Sequence, residues 1–234
     1  FERFSVEMPF SGIARRIPSS SKQFGEGHDI VGLSETGSGK TAAFGLPALA
    51  KIDFQKPVPQ MLFVCPTRVL AIQVCEEMNR LGSKLPRLRT IEVSGGAPID
   101  RQLRALRQGT QVVVGTPGRL IDHVKRGSLV LDEVGIAILD EADRMLDMGF
   151  LDEMESLLRA LPEERQTLFF SATMNRNVEG LIQKFGNEPR TIQIERETLT
   201  VESIEQVCYE VRQRSKVEVL SRIVDIEQPQ LALV

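Results

Sequence analysis

The sequence predicts an α/β domain in which a doubly wound, mostly parallel β-sheet carries helices on both faces. The first observation is a set of six short, uninterrupted apolar runs rich in β-branched residues, which are typical of strands buried on both sides. The second is the helical spacing of apolar residues in the segments between these runs. Strands that alternate with helices favour parallel pairing, and such sheets bind ligands at the carboxyl ends of their strands.

Each predicted strand is followed by small, charged or hydroxyl residues and then by a predicted helix. The residues directly after the strands are therefore the place to look for chemistry. The strands are expected at 29–32, 61–65, 90–93, 111–114, 136–139 and 167–170. The helices are expected at 42–51, 69–81, 99–108, 119–125, 142–146, 151–160 and 176–185.

The character of the sequence changes after residue 185. Residues 190–194 are expected to form an edge strand, and the polar, acidic stretch 195–205 favours a linker. A strand at 206–211, a helix at 216–226 and a strand at 230–234 are expected to follow. We therefore expect a first domain at 1–194, a linker at 195–205, and at 206–234 the start of a second domain that is cut short.

The composition is that of a globular protein, with 41% hydrophobic and 26% charged residues. The net charge of −3 excludes a global basic field, so any nucleic acid must bind a local patch. Cys65, Cys75 and Cys208 have neither the spacing of a zinc site nor the density of a disulfide scaffold, and we expect them to be reduced core residues. Without a signal peptide or a long apolar segment, the protein is expected to be cytoplasmic, without a membrane partner, and monomeric by default.

The first candidate site is a glycine-rich loop between a predicted strand and a predicted helix. Glycine N–H groups can close around phosphate oxygens, a lysine can reach the terminal phosphates, and a threonine hydroxyl can bind Mg²⁺. Serine occupies the first position, where the general pattern has glycine, and the competing interpretation is a flexible turn that precedes a lysine by chance. The loop consists of Ser34, Glu35, Thr36, Gly37, Ser38, Gly39, Lys40 and Thr41.

The second candidate site is the pair Asp140 and Glu141, directly after the apolar run 136–139. A carboxylate at this place can hold Mg²⁺, partly through water, and the next one can orient or deprotonate an attacking water. The competing interpretation is a solvated acidic helix start, where carboxylates favourably meet the helix dipole. That interpretation weakens when a phosphate-binding loop is expected at the same edge of the sheet.

The two candidate sites belong to a set of motifs that together resemble the DEAD-box helicase family over nearly the whole chain. The resemblance implies a P-loop (RecA-like) fold and ATP-dependent binding and local unwinding of RNA by two similar domains. It implies ATP and Mg²⁺ as cofactors. In that scheme Lys40 binds phosphate, Thr41 and Asp140 bind the metal, and Glu141 is the catalytic base. The motifs are 42–44, 66–68, 95–96 with Gln102, 116–119, 140–150 and 171–173.

The resemblance also implies an RNA surface formed by three of these loops. Hydroxyls, glycine amides and arginine forks bind phosphates and sugars without reading sequence, which supports the assignment independently. The competing interpretations are ordinary loops and surface ion pairs. Arg101, Arg104 and Arg107 could extend the patch, although a solvated helix face is favoured. The predicted RNA-binding residues are Pro66, Thr67, Arg68, Gly95, Gly96, Thr116, Pro117, Gly118 and Arg119.

Asp143, Ser171 and Thr173 resemble the family's coupling elements, in which hydroxyls contact carboxylates of the metal site and link ATP cleavage to RNA handling. A helix N-cap by Ser171 or Thr173 is the competing interpretation. The resemblance breaks at residues 8–18, where the family's Pro-Thr-x-Ile-Gln element is absent, so we expect poor discrimination of adenine. A non-catalytic RNA clamp and a DNA-directed motor are the alternative functions, and protein cofactors or ribonucleoprotein particles are the expected further partners.

Overall fold

A computed structural model describes Phe24, residues 27–33, 40–193 and 207–229, and Leu231. The chain divides into two compact units, Phe1–Glu195 and Arg196–Val234. The described part of the first unit contains one seven-stranded sheet in which every strand pair is parallel. The predicted fold class is therefore confirmed.

The seven strands lie in the order β3-β4-β2-β5-β6-β1-β7 across the sheet. All six predicted strands are present within a few residues of their expected bounds, and the seventh is the expected edge strand, which pairs with β1. The strands are β1 (Ile30–Leu33), β2 (Met61–Val64), β3 (Thr90–Val93), β4 (Val112–Gly115), β5 (Ile136–Leu139), β6 (Gln166–Ser171) and β7 (Arg190–Gln193).

Helices cover both faces of the sheet because successive strand residues point to opposite sides and both sets are apolar. On one face, Phe63 and Ile138 pack with side chains of α1 and α2. On the other face, Val64 and Leu139 pack with side chains of α4, α5, α6 and α7. The helices of this unit are α1 (Lys40–Leu49), α2 (Arg68–Leu81), α3 (Ile99–Arg107), α4 (Pro117–Lys125), α5 (Ala142–Asp147), α6 (Leu151–Ala160) and α7 (Arg176–Phe185).

The helices that follow β2 and β4 begin at the expected motifs. Thr67 caps α2, since its Oγ1 accepts a hydrogen bond of 3.3 Å from the backbone N–H of Leu70. Helix α4 begins at Pro117, two residues before the predicted start, because proline suits the first helical position, where its missing N–H is not needed. Residues predicted as loop at 117–118 thus form the first turn of a helix.

The second unit is small in its described part. It contains a 3₁₀ turn at Gln213–Ser215 and helix α8 (Lys216–Glu227), which confirms the helix expected at 216–226. The strand expected at 206–211 is wrong, since residues 207–211 have no regular structure. The strand expected at 230–234 lies outside the described residues, apart from Leu231.

The cysteines only partly follow the expectation of core positions. Cys65 is buried and Cys75 is half-buried, but Cys208 in the second unit is exposed. Its surroundings explain the difference, because every described residue from 207 to 210 is exposed. None of the helices in the described ranges combines the length and apolarity needed to cross a bilayer.

Candidate functional site

The sheet order places the chemically distinctive residues in two groups along one edge. Strands β5, β6 and β1 are neighbours, so Asp140 and Ser171, at or just beyond the ends of β5 and β6, meet at the edge where β1 leads into the glycine-rich loop. Strands β3, β4 and β2 are neighbours on the other half, so the residues after them also meet. Adjacent strands lie about 4.8 Å apart, which brings each group within reach of one ligand.

The first group is built around Thr41 and Asp140. Thr41 lies in the first turn of α1, and Asp140 follows β5, where its N–H donates a 2.9 Å hydrogen bond to the carbonyl of Val64. Both line one cavity of about 10 Å³, together with Phe44, Phe63, Ile138 and Phe170. A volume of this order holds about one water molecule. Residues 34–39 and the Lys40 side chain lie outside the described residues, so their predicted contacts stay predictions.

Glu141 has an uncommon backbone conformation. Its φ of 55° and ψ of 52° are left-handed, a region that costs a residue with a side chain roughly 1–2 kcal/mol. The conformation lets the chain turn from β5 into α5 while Glu141 is only 9% exposed. Its Oε2 accepts a hydrogen bond of 3.0 Å from Nη1 of Arg144. Such strain is commonly found at functional sites.

Asp143 is joined to the end of β6 by direct hydrogen bonds. Its Oδ2 accepts from the backbone N–H and from the hydroxyl of Thr173, each at 2.9 Å, and the Ser171 hydroxyl donates to the Thr173 carbonyl at 2.7 Å. Burial raises the pKa of Asp143, but hydrogen bonds from Thr173 and Arg144 outweigh burial and lower the pKa below its usual value. Asp143 is thus held as a carboxylate.

Two alternatives from the sequence are contradicted by these positions. Asn175 caps α7, with its Oδ1 accepting from the N–H groups of Asn177 and Val178, so neither Ser171 nor Thr173 is the cap. Asp140, Glu141 and Asp143 are each less than a tenth exposed, so they are not a solvated helix start.

The second group surrounds the loop 94–97. Gly96 has a φ of +79°. If this residue carried a Cβ atom, that atom would lie 3.0 Å from Nη1 of Arg68, so the guanidinium packs directly against the glycine. Arg119 approaches the same loop and donates from Nη1 to the carbonyl of Ala97 at 3.2 Å. The two arginines predicted for RNA therefore converge on the predicted Gly95-Gly96 element.

The N-termini of two helices add backbone donors to this group. Thr67 and Arg68 lie at the start of α2, and Thr116 to Arg119 at the start of α4. Free N–H groups and the helix dipole make such ends favourable for anions. The exposed Arg101, Arg104 and Arg107 lie on α3, and no salt bridge joins them to another described residue.

A buried polar network beneath the loop 94–97 was missed from the sequence. Gln102, 3% exposed, donates from Nε2 to the Ser94 carbonyl at 3.0 Å, and its Oε1 accepts from Nη1 of Arg119 at 2.9 Å. Nε2 of the fully buried His123 lies 3.0 Å from the same Oε1. The available signal was spacing, because His123 follows Arg119 by four residues and so shares its helix face.

The oxygen ligands suit one kind of metal. A hydroxyl at Thr41 and a carboxylate at Asp140 are hard donors, and Mg²⁺ is held by one or two such groups plus water and phosphate oxygens. Within the ranges that the structure describes, no cluster of three or more His, Cys, Asp or Glu side chains has the arrangement of a metal site. The two donors fit a Mg²⁺ whose other ligands are water and phosphate oxygens.

Comparison with known proteins gives a consistent assignment. The DEAD/DEAH box helicase family matches residues 17–181. The chain is 43% identical over 233 residues to the DEAD-box ATP-dependent RNA helicase CshA of Geobacillus kaustophilus, covering all of this chain and 49% of that protein. It is 47% identical over 209 residues to the ATP-dependent RNA helicase CshA of Listeria monocytogenes, covering 89% of this chain and 40% of that protein.

Solved structures agree with the sequence relatives. The chain resembles a DEAD box protein from the hyperthermophile Methanococcus jannaschii with a TM-score of 0.72 and 36% identity, over 90% of this chain and 55% of the other. It resembles a hypothetical ATP-dependent RNA helicase from Sulfolobus tokodaii with a TM-score of 0.70 and 31% identity, over 80% of this chain and 53% of the other. The chain spans about half the length of the curated relatives it matches.

Proposed function

Because this chain belongs to the DEAD/DEAH box helicase family, we propose that it is the ATP-binding half of an ATP-dependent RNA helicase. The whole protein would bind the RNA backbone and locally unwind or remodel RNA with energy from ATP hydrolysis. The observation that carries the proposal is the placement of Thr41 and Asp140 on one cavity, with Glu141 and Asp143 buried beside it.

The nucleotide would be held by groups at the end of β1 and the start of α1. The amides of residues 34–39 would surround the phosphates, with Lys40 reaching the terminal ones and the positive end of α1 adding to the attraction. Thr41 and Asp140 would hold Mg²⁺, which would neutralise phosphate charge when bound. Glu141 would orient the attacking water and accept its proton, since its carboxylate follows Asp140 directly.

RNA would bind on the other half of the same edge. Arg68, Gly95, Gly96 and residues 116–119 offer arginine forks, glycine amides and helix N-termini, which are groups that contact phosphates and sugars. None of these groups distinguishes one base from another. We therefore propose binding that follows backbone shape and does not depend on sequence.

Asp143, Ser171 and Thr173 would couple the two halves. Thr173 is bonded through its N–H and hydroxyl to Asp143, three residues after the carboxylate assigned to the metal. A shift of Asp140 or Glu141 on ATP cleavage would move the start of α5 and, through Asp143, the segment after β6. This contact would carry a displacement at the metal site as far as the segment after β6.

The remaining assignments concern the whole protein. We propose that residues 206–234 begin a second, similar domain after a linker at 195–205, and that this domain supplies the missing half of the ATP and RNA sites. We further propose a cytoplasmic monomer that works with protein cofactors or ribonucleoprotein particles. Poor discrimination of adenine is expected because the element at 8–18 lacks the family's glutamine.

The test is the ATPase rate of the full-length protein with single-stranded RNA, with DNA of the same sequence, and with the Glu141→Gln variant. We expect stimulation by RNA but not by DNA. The variant should lose at least about 100-fold in rate, the usual contribution of a general base, while it still binds ATP. Equal stimulation by DNA would favour a DNA-directed motor, and stimulation by neither would favour an RNA clamp.

The isolated 234 residues provide a second measurement. We expect them to bind ATP weakly, and neither to hydrolyse it rapidly nor to unwind a duplex, because half of the proposed site is absent. Strong ATP-dependent strand release by this chain alone would contradict the proposal that a second domain completes the site.

A further inference from the structure

Gln102 occupies the centre of a buried network below the proposed RNA surface. Its side-chain amide makes three contacts, to the Ser94 carbonyl at 3.0 Å, to Nη1 of Arg119 at 2.9 Å and to Nε2 of His123 at 3.0 Å. Ser94 directly precedes Gly95-Gly96, and Arg119 is one of the arginines proposed for RNA. One buried side chain therefore contacts a residue of one proposed RNA element and the residue directly before another.

The partners of Gln102 fix the orientation of its amide. A carbonyl oxygen such as that of Ser94 can only accept, so it must face the amide nitrogen, while the guanidinium of Arg119 can only donate and must face the amide oxygen. The same oxygen faces Nε2 of His123, which must then carry a hydrogen. Burial lowers the pKa of His123, so the ring is neutral and Nδ1 is left to accept.

Ser128 anchors the other side of the ring. Its Oγ lies 2.8 Å from Nδ1 of His123 and 3.0 Å from the carbonyl of His123. The hydroxyl has one hydrogen for these two acceptors, the His123 carbonyl and Nδ1, and with the ring hydrogen on Nε2 the Nδ1 atom is able to accept it. Ser128 lies just beyond the end of α4, so the orientation of the ring is determined within that helix and the turn that follows it.

The network determines which groups of Arg119 remain for a ligand. Nη1 donates to both Ala97 and Gln102, so its two hydrogens are used. Within the described part of the chain, no contact uses Nε or Nη2 of this half-buried side chain. These three N–H groups are a fixed fork of the kind that binds phosphate.

We propose that Gln102 and His123 are positioning residues for RNA, which act by holding Arg119 and the loop 94–97 in the arrangement that binds the backbone. Neither residue is proposed to touch RNA. The inference rests on the RNA-binding role proposed above. It assigns a function to Gln102, which belongs to a sequence motif but had no role of its own, and to His123, which belongs to none of the motifs.

The test compares two replacements of His123 in the full-length protein. In His123→Gln the side-chain amide nitrogen can take the place of Nε2 and still donate to Gln102. In His123→Asn the shorter amide replaces only Nδ1, so the contact with Ser128 can remain while that with Gln102 is lost. Both remove the ring, but asparagine is one methylene smaller than glutamine, so a residue that merely fills the core predicts a lower melting temperature for His123→Asn with no separate effect on the RNA-bound state. A loss of RNA affinity in His123→Asn that persists well below its melting temperature distinguishes the positioning role.

The measurements are the Kd for fluorescein-labelled single-stranded RNA, the Kd for a fluorescent ATP analogue, the KM for RNA and the kcat of the ATPase, and the melting temperature. We expect His123→Asn to weaken RNA binding about tenfold, as loss of one buried hydrogen bond to a polar group would. His123→Gln should stay within about threefold of wild type by the same scale. The KM for RNA should rise in His123→Asn while kcat at saturating RNA and the Kd for the ATP analogue stay unchanged.

Gln102→Met, a replacement of similar volume, should also weaken RNA binding about tenfold. The matched control is Gln108→Met at the exposed end of α3, which should leave RNA binding unchanged. The double variant Gln102→Met with Arg119→Ala should lose less RNA affinity than the sum of the two single losses, because part of the effect of Gln102 passes through the Arg119 guanidinium and only its contact with Ser94 remains separate.

The outcomes separate the two claims. Equal RNA affinities for His123→Gln and His123→Asn, or additive effects of Gln102→Met and Arg119→Ala, would overturn the positioning role while RNA binding by the wild type stands. A wild-type protein that does not bind RNA would overturn the proposed function, and the inference with it.

Discussion

Glu141 shows at the scale of one residue how backbone strain can be measured. Its left-handed conformation favours glycine, although glycine elsewhere in a chain is usually less stable than alanine. We therefore expect Glu141→Gly to be more stable than Glu141→Ala by about 1 kcal/mol. Urea denaturation of both variants measures the difference, and an alanine variant of equal or greater stability would show that the conformation is not strained.

His123 gives a prediction about pH. Burial, and then the charge of Arg119, lower its pKa, while Asp122 opposes the shift and Arg126 adds to it. In the unfolded chain His123 takes up a proton near pH 6.5, whereas in the folded protein burial opposes protonation. The stability that the neutral ring contributes is therefore fully present above about pH 6.5 and is lost as the pH falls below that value. His123→Gln should thus lose less stability than wild type between pH 7.5 and 5.5.

Urea unfolding at several pH values measures this difference. The comparison is between the slopes of the two proteins, since other groups titrate in both. Identical slopes would mean that His123 is protonated equally easily in the folded and unfolded chains.

Glycines in two elements should respond to the same substitution with opposite signs. Gly115 is the last residue of β4. A Cβ atom at this position would lie 2.8 Å from the Leu120 side chain and closer still to the Val93 carbonyl. Strand β3 cannot move away from this atom without breaking its hydrogen bonds to β4. Gly115→Ala should destabilise by about 2 kcal/mol. Gly180→Ala should stabilise by about 0.5–1 kcal/mol, because it lies in α7 with open space around it. Thermal unfolding of both variants is the measurement.

Local sequence predicts the elements of this domain well and their arrangement poorly. Runs such as 136–139 are apolar on both faces, and this pattern marks a buried strand wherever its partners lie. Because the strand sequences are all similarly apolar, they do not indicate the order of the strands in the sheet, and β2 could pair with any of them. The strand expected at 206–211 failed because β-propensity depends on neighbours, and the described part of the second unit contains no other strand.

In the candidate site too, local motifs predict individual residues but not the contacts between distant residues. Thr41, Asp140 and Glu141 could be selected from short motifs, because their chemistry needs particular residues directly after a strand. The contacts of Asp143 with Thr173 join residues 30 apart, and only the family resemblance suggested them. The network of His123 and Gln102 joins α4 to α3 across 21 residues, and no local pattern specifies that contact.

At the scale of the whole molecule, the strand order separates the proposed RNA elements from the proposed nucleotide elements. The former follow β3, β4 and β2, the latter follow β5 and β1, and the proposed coupling residues Ser171 and Thr173 lie at the end of β6 and just after it. We therefore expect Arg68→Ala to weaken RNA binding without nucleotide and to leave the affinity for ATP unchanged. Asp140→Asn should have the opposite pattern, because its carboxylate is assigned to Mg²⁺.

Fluorescence anisotropy with labelled RNA and with a labelled ATP analogue, on the full-length protein, measures both affinities. Loss of both affinities in either variant would mean that the two groups form one site.

The contrast among the three cysteines has a practical consequence. Burial, followed by the charges of Asp140 and Glu141, raises the pKa of Cys65 well above its usual value, and burial chiefly raises the pKa of Cys75 to about 11. Only the thiolate reacts with alkylating reagents, so both are protected at neutral pH, whereas Cys208 is exposed. A maleimide dye should therefore label Cys208 alone, which peptide mass spectrometry can check, and would give the second unit a fluorescent reporter without any mutation.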